Sequence, residues 1–142
     1  AMAIRNAWIA DCEVIRELLN QLGYSQPVEV IKEKLDKLIS NPEDEVYVYE
    51  ENNTVLGFIT AHFSVQLAFE GDFCEIGYLV VDEKVRSKGV GKQLEEYVTQ
   101  VAQRKGCSRI MVFSMSYRTD AHRFYERQGY NQIEKFLEKV LS

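Results

Sequence analysis

Along the chain, apolar residues first alternate, then recur every three or four positions, then alternate again, and this rhythm predicts the elements. Ala3 to Ala7 reads as a short first strand. Asp11 is placed to cap a helix in which Val14, Ile15, Leu18, Leu19 and Leu22 recur at helical spacing, with Gly23 at its end. Pro27 suits the first turn of a second helix, Glu29 favours its dipole, and Val28, Ile31, Leu35 and Leu38 mark its buried stripe before Asn41-Pro42 stops it. From Glu45 to Glu50 the period shortens to two, with Val46 and Val48 on one face and Tyr47 and Tyr49 on the other. Asn52-Asn53 reads as a hairpin turn, Thr54 to Ala68 as a longer strand, Gly71-Asp72 as a further turn, and Phe73 to Val81 as a third strand. That strand ends apolar on both faces, which predicts a central position.

Val90, Leu94, Tyr97, Val98, Val101 and Ala102 then form the stripe of a helix closed by Gly106. Arg109 to Ser114 is a strand, Thr119 caps a short helix ending before Gly129, and Asn131 to Leu141 is a last strand region. The order β-α-α-β-β-β-α-β-α-β predicts an α+β fold with a mixed, mostly antiparallel sheet flanked by helices, in a single domain over residues 1–142.

Composition narrows the function classes. A hydrophobic content of 46% over 142 residues supplies a core and argues against disorder. The net charge of -5, from 22 acidic and 17 basic residues, lacks the basic face of a nucleic-acid binder and mildly favours cationic substrates. Cys12, Cys74 and Cys107 make an odd count without a CxxC pair, which argues against a disulfide framework or structural zinc and for free thiols in a reducing compartment. His62 and His122 lack matched ligand spacing, so no metal site is expected. No apolar run reaches the roughly 18 residues of a membrane span and no leader is visible, so the expected location is cytoplasmic, away from the membrane.

The chemistry concentrates in Glu75 to Lys92, EIGYLVVDEKVRSKGVGK. A strand runs into a short polar loop and then directly into a helix. Helix N-termini expose unpaired N–H groups and partial positive charge, and glycines let an anion approach the backbone closely. Gly89 and Gly91 stand at that junction, with Arg86, Lys88 and Lys92 adding charge. The Walker A pattern fails, because Arg86 occupies its first glycine position and Gln93 follows Lys92. The dinucleotide GxGxxG pattern fails at Leu94.

Arg86-Ser87-Lys88-Gly89-Val90-Gly91 matches the Arg/Gln-x-x-Gly-x-Gly/Ala pattern of the GCN5-related N-acetyltransferases. EIGYLVVDEKVRSKGVGKQL resembles that family's fourth strand, loop and third helix, and DAHRFYERQGY resembles its fourth helix. The resemblance covers nearly the whole chain and implies transfer of an acetyl group from acetyl-CoA to an amine. It implies that the backbone of Arg86, Ser87, Lys88, Gly89, Val90, Gly91 and Lys92 holds the CoA pyrophosphate. It also implies that Leu79, Val80 and Val81 present backbone groups to the pantetheine arm, where two strands splay apart. Tyr125 matches the family tyrosine that protonates the departing thiolate, although packing beside Phe124 and Tyr130 is the competing explanation. Glu75 stands where several members place a general base; a solvated or ion-paired carboxylate is the alternative. The family asparagine after the fifth strand is missing, and Ser116 is the nearest polar substitute.

His62 lies on the strand before Glu75 and could face the acceptor site as base or ligand, with a satisfied surface or core residue as the default; His122, on the fourth helix, could touch CoA, with a solvated helix face as the default. Tyr24, Phe63, Phe69, Phe73 and Tyr117 stand near the expected substrate loops, with core packing as their default role, and Glu29, Glu33, Glu70 and Asp72 could bind the acceptor, with a charged solvent face as theirs. The expected reaction is direct attack by a small primary amine in a ternary complex, on a possible homodimer. The alternatives are a protein or peptide amine acceptor and a non-catalytic sensor of acyl-CoA.

Overall fold

The structure is a computed structural model and describes residues 2–113, 119–133 and 137–142. β1 (Met2–Asn6), β2 (Asp44–Glu51), β3 (Thr54–Ser64), β4 (Asp72–Val81) and β5 (Cys107–Val112) form one sheet in that order. The first three pairings are antiparallel, and β4–β5 is parallel. Helices α1 (Cys12–Gln21), α2 (Val28–Ser40), α3 (Val90–Arg104) and α4 (Thr119–Arg127), with 3-10 segments at Ile9–Asp11 and Glu83–Lys88, complete the described elements. The expected α+β class, with its mostly antiparallel sheet and flanking helices, is the observed one.

The sheet is buried on both faces, which β2 shows residue by residue. Tyr47 and Tyr49 join Ile59, Ala61, Phe63, Cys74 and Ile76 against Val90, Leu94, Val98, Val101 and Ala102 of α3. Val46 and Val48 join Phe58 and Val80 against Ile15 and Leu18 of α1 and Ile31 and Leu35 of α2. The α3 side and the α1–α2 side are thus two separate cores divided by one sheet. The β2–β3 turn places Asn52 and Asn53 at φ 51 and 61, the left-handed pair that a two-residue hairpin of matching twist requires.

Three expectations are corrected. The strand from Thr54 stops at Ser64 rather than Ala68, because Ser64 pairs with Phe73 near the start of β4 and nothing further is available to pair. Asp11 does not cap α1 with its side chain. Its buried carboxylate instead accepts hydrogen bonds from the Trp8 N–H at 2.7 Å and from Arg5 at 2.9 and 3.1 Å. Finally, residues 131–133 and 137–142 are not in a strand; residues 134–136 of the expected Asn131–Leu141 strand lie outside the described residues. Leu137, Val140 and Leu141 remain exposed, without the sheet partner that alternation alone cannot supply.

Candidate active site

β4 and β5 pair only from Asp72 to Ile76 on β4, and the ladder closes with the Phe113 N–H donating to the Ile76 carbonyl at 3.4 Å. Among the described residues the parallel pairing ends at Ile76, while β4 continues to Val81. The register against β3 slips at the same place: Ala61 faces Ile76 and Thr60 faces Tyr78, leaving Gly77 as an extra residue. The Thr60 hydroxyl fills the bulge, accepting from the Tyr78 N–H at 3.0 Å. A Cβ on Gly77 would sit 3.0 Å from that oxygen, which explains glycine there. The Tyr78 and Asp82 N–H groups both point toward β3. Strand alternation therefore turns the backbone of Leu79 and Val81 away from β3, toward the side of β5, and that of Val80 toward β3.

A 3-10 segment, Glu83–Lys88, follows, carrying exposed Arg86 and Lys88 in its last turn. Gly89 adopts φ 81 as the residue before α3, a conformation that suits glycine. The first turn of α3 contains no carboxylate, whereas α1 and α2 carry Glu13 and Glu29 there. Its positive end is thus left without an internal counter-charge. A Cβ on Gly91 would meet Val81 at 3.5 Å and Phe124 at 3.7 Å, so β4, α3 and α4 converge on this residue. Lys92 reaches Glu96 at 3.9 Å on the exposed side of α3. The Ser87 side chain and all of Ser116 lie outside the described residues.

On α4, Tyr125 packs edge to face between Phe124 (5.2 Å between ring centres) and Tyr130 (5.4 Å). Burial first, and the nearby Glu95 charge second, push Tyr125 from 10.0 up to about 12. Glu95 itself, 4% exposed, accepts from the Tyr130 hydroxyl at 2.7 Å and the Thr99 hydroxyl at 2.9 Å. Sequence reading missed this carboxylate; its signal was a position between stripe residues Leu94 and Val98. Gly129 at φ 95, with the Tyr130 N–H donating to the Tyr125 carbonyl at 3.0 Å, closes α4 and delivers Tyr130 to Glu95.

Glu75 lies between Cys74 and Ile76 of the α3-side core, so its side chain belongs to the opposite face. His62 lies between Ala61 and Phe63 and shares that opposite face, directly across from Glu75. Asp44 is across from His62 in turn, and its Oδ1 is 2.8 Å from His62 Nδ1. Tyr78, on the same face of β4, meets Tyr24 of the α1–α2 connection edge to face at 6.3 Å. Both rings are about half exposed. Glu75 and Tyr125 are therefore not brought together: they stand on the two sides of the sheet. The Cys74 thiol is pushed up to about 12, chiefly by burial, and Cys107 is raised for the same reason. Neither offers a thiolate at neutral pH.

No described helix is long and apolar enough to cross a membrane. The family model "Acetyltransferase (GNAT) family" matches residues 11–130. An uncharacterised N-acetyltransferase of Chlorobaculum tepidum is 29% identical over 140 residues, covering 96% of this chain and 81% of that protein. The aminoalkylphosphonate N-acetyltransferase of Salmonella typhimurium is 28% identical over 130 residues, covering 92% and 80%. An aminoglycoside N-acetyltransferase solved in complex with CoA superimposes with a TM-score of 0.85 at 19% identity, covering 99% of this chain and 95% of that one, a likeness of fold. The chain therefore belongs to the GNAT family and is an acetyl-CoA-dependent N-acetyltransferase.

Proposed function

We propose that this enzyme acetylates a primary amine on a small molecule by direct attack within a ternary complex. The observation that carries the reading is that, among the described residues, β4–β5 pairing ends at Ile76, while β4 continues with the Leu79 and Val81 backbone turned away from β3 and runs into the glycine-started α3. An extended, amide-containing arm can pair with that backbone as an added strand would. The α3 N-terminus, clear of carboxylates and flanked by Arg86 and Lys88, suits a pyrophosphate. The relatives named for aminoalkylphosphonate and aminoglycoside acetylation support a small-molecule amine.

Acetyl-CoA supplies the activated acetyl thioester; the chain's residues supply position and protons. The Leu79 N–H, turned away from β3, is a candidate donor to the developing oxyanion. Tyr125, held neutral to about pH 12, keeps a proton to give to sulfur as the carbon–sulfur bond breaks. Glu75, on the other side of the sheet, takes a proton from the acceptor ammonium, directly or through a water. The raised Cys74 and Cys107 thiols favour direct attack over an acyl-cysteine route. Three free cysteines fit a cytoplasmic location.

The test is CoA release measured across aminoalkylphosphonates, aminoglycosides, simple diamines and lysine peptides, with acetyl-CoA binding followed by calorimetry. Turnover on a small amine that exceeds turnover on peptides supports the reading. Tight binding with no turnover on any amine overturns it in favour of a sensor.

A further inference from the structure

Glu95 is out of keeping with its place on α3. It stands between Leu94 and Val98, 4% exposed, on the side of the sheet where Leu94, Val98, Val101 and Ala102 build an apolar core. Burying a carboxylate is costly unless it is paired and hydrogen-bonded. Among the described residues no cation pairs with it. Its donors are two hydroxyls, both on Oε2: Tyr130 at 2.7 Å and Thr99 at 2.9 Å. An apolar side chain would complete the α3 stripe without that cost, so packing does not account for the carboxylate. The Thr99 bond is local to one helical turn. The Tyr130 bond spans 35 positions and joins α3 to the chain leaving α4. The Tyr130 ring lies 5.4 Å from that of Tyr125, and its N–H donates to the Tyr125 carbonyl at 3.0 Å. Phe124 closes the other side of Tyr125 at 5.2 Å. Tyr125 is thus wedged between a ring of its own helix and a ring that α3 holds by a hydrogen bond.

We propose that Glu95 is the positioning residue for Tyr125: through the Tyr130 hydroxyl it fixes the ring that flanks the acid, and its buried charge disfavours the phenolate. This rests on the acetyl-transfer reading above. One carboxylate then has two effects. The hydrogen bond holds the Tyr130 ring against Tyr125, so the phenol presents its hydroxyl in one place. The charge is the second cause, after burial, of the rise of Tyr125 to about 12. Its effect falls on the acid's recovery. As the carbon–nitrogen bond forms and the carbon–sulfur bond breaks, the Tyr125 proton goes to sulfur and leaves a phenolate beside Glu95. Two neighbouring negative charges favour prompt reprotonation, and the proton shed by the new amide nitrogen reaches the Tyr125 oxygen through solvent. The titratable groups that face this cluster, among the described residues, are Glu95 on α3, Tyr125 and Tyr130 about α4, and the Cys74 thiol of β4. Cys74 keeps its proton to about 12, chiefly because it is buried, so it adds no charge of its own near neutrality.

Three variants separate charge from position. Glu95→Gln removes the charge and keeps an acceptor oxygen, Glu95→Leu removes both, and Tyr130→Phe removes only the donor. NMR of ring-labelled tyrosine follows the Tyr125 signal, assigned by its loss in Tyr125→Phe, over the alkaline range in which circular dichroism shows the fold intact. Glu95→Gln should bring the onset of its titration to lower pH; an unmoved onset overturns the effect of the charge, and with it the positioning role. This readout needs no turnover. On the preferred amine near neutral pH, Glu95→Leu and Tyr130→Phe should each lower kcat at least about tenfold, with acceptor KM and acetyl-CoA affinity held within about threefold. Glu95→Gln should keep kcat within about threefold there and show an alkaline limb at lower pH than the unmodified enzyme. Tyr130→Phe keeps the buried ring, so its result stands if Glu95→Leu does not fold. The Tyr125→Phe/Tyr130→Phe double variant should be no slower than Tyr125→Phe alone, because residues that act as a unit are not additive. Losses that multiply, or that fall on KM instead of kcat, leave Glu95 and Tyr130 as packing and overturn the positioning role. If the unmodified enzyme turns over an amine and Tyr130→Phe stays within threefold, the positioning role alone fails; if it turns over none, the acetyl-transfer reading and the positioning role fail together.

Discussion

Tyr125 is set by two neighbours, and both bear on what its proton does. Burial and the Glu95 charge hold it at about 12, so it keeps its proton through the whole range in which an amine acetyltransferase works. Tyr125→Phe should lower kcat by about a hundredfold with little change in acetyl-CoA affinity. The unmodified enzyme should show no alkaline limb from this group below about pH 11. The sign for stability follows from the same shift. A phenol whose folded value is raised contributes fully below its unfolded value of 10.0 and loses that contribution as pH rises through 12. Tyr130 is raised too, by burial and then by its hydrogen bond to Glu95. Circular dichroism against urea should therefore give stability that is level up to about pH 10 and falls steadily above it. Tyr125 and Glu75 could be named as candidates from the sequence because each stands at a fixed offset within a recognisable motif. Glu95 and Asp44 were not. A buried carboxylate on an apolar stripe reads as a surface residue until its hydrogen-bond donors, here on Thr99 and Tyr130, are known.

The elements place these side chains through a few close backbone approaches. A Cβ on Gly57 would lie 2.9 Å from the Val80 carbonyl oxygen, 3.2 Å from Val90 and 3.3 Å from Leu94. Gly57→Ala should therefore push β4 and α3 away from β3 and cost about 2 kcal/mol, read as a lowered midpoint in thermal unfolding. Gly91 is different: its imagined Cβ meets only ordinary contacts, so replacement is tolerated by the fold. Gly91→Asp should leave the melting temperature within a few degrees and weaken acetyl-CoA at least tenfold in calorimetry, by setting a carboxylate where the pyrophosphate is proposed to bind. Helices α1 to α3 were visible as a period near four, because each keeps one face against a core; strands β2 to β4, set between two cores, were visible as apolar runs bounded by turn signals. The bulge at Gly77 was not. It arises from a register slip against β3, and register belongs to two strands at once. The described residues 131–133 and 137–141 form no strand for a related reason: alternation describes one strand's faces without naming a neighbour to pair with.

The whole molecule is organised by a sheet with a core on each side, and its first strand is fastened by charge. Arg5 on β1 pairs with Asp11 at 2.9 Å and Glu50 at 3.3 Å, and stacks on the exposed Trp8 ring at 3.6 Å from its centre. Its guanidinium is raised further above its ordinary value, most by the hydrogen bond to Asp11 and against the opposing effect of burial. Arg5→Met would leave the Asp11 carboxylate buried without its partner. It should cost about 3 kcal/mol, measured by denaturant titration, while the acceptor KM of the folded enzyme stays unchanged.

The two-sided sheet has a further consequence for how such an enzyme can diversify. The groups proposed to hold the acyl donor, from the β4 edge to α4, lie with the α3 core, and those proposed to meet the acceptor lie with α1 and α2. Changes in residues 20–28 can then retune which amine is accepted while the machinery that handles the acyl donor is inherited intact. Exchanging that connection for one from a relative should swap amine preference and leave the acetyl-CoA dissociation constant where it was. The sheet is, in this sense, a boundary across which selection can act on one half-reaction at a time.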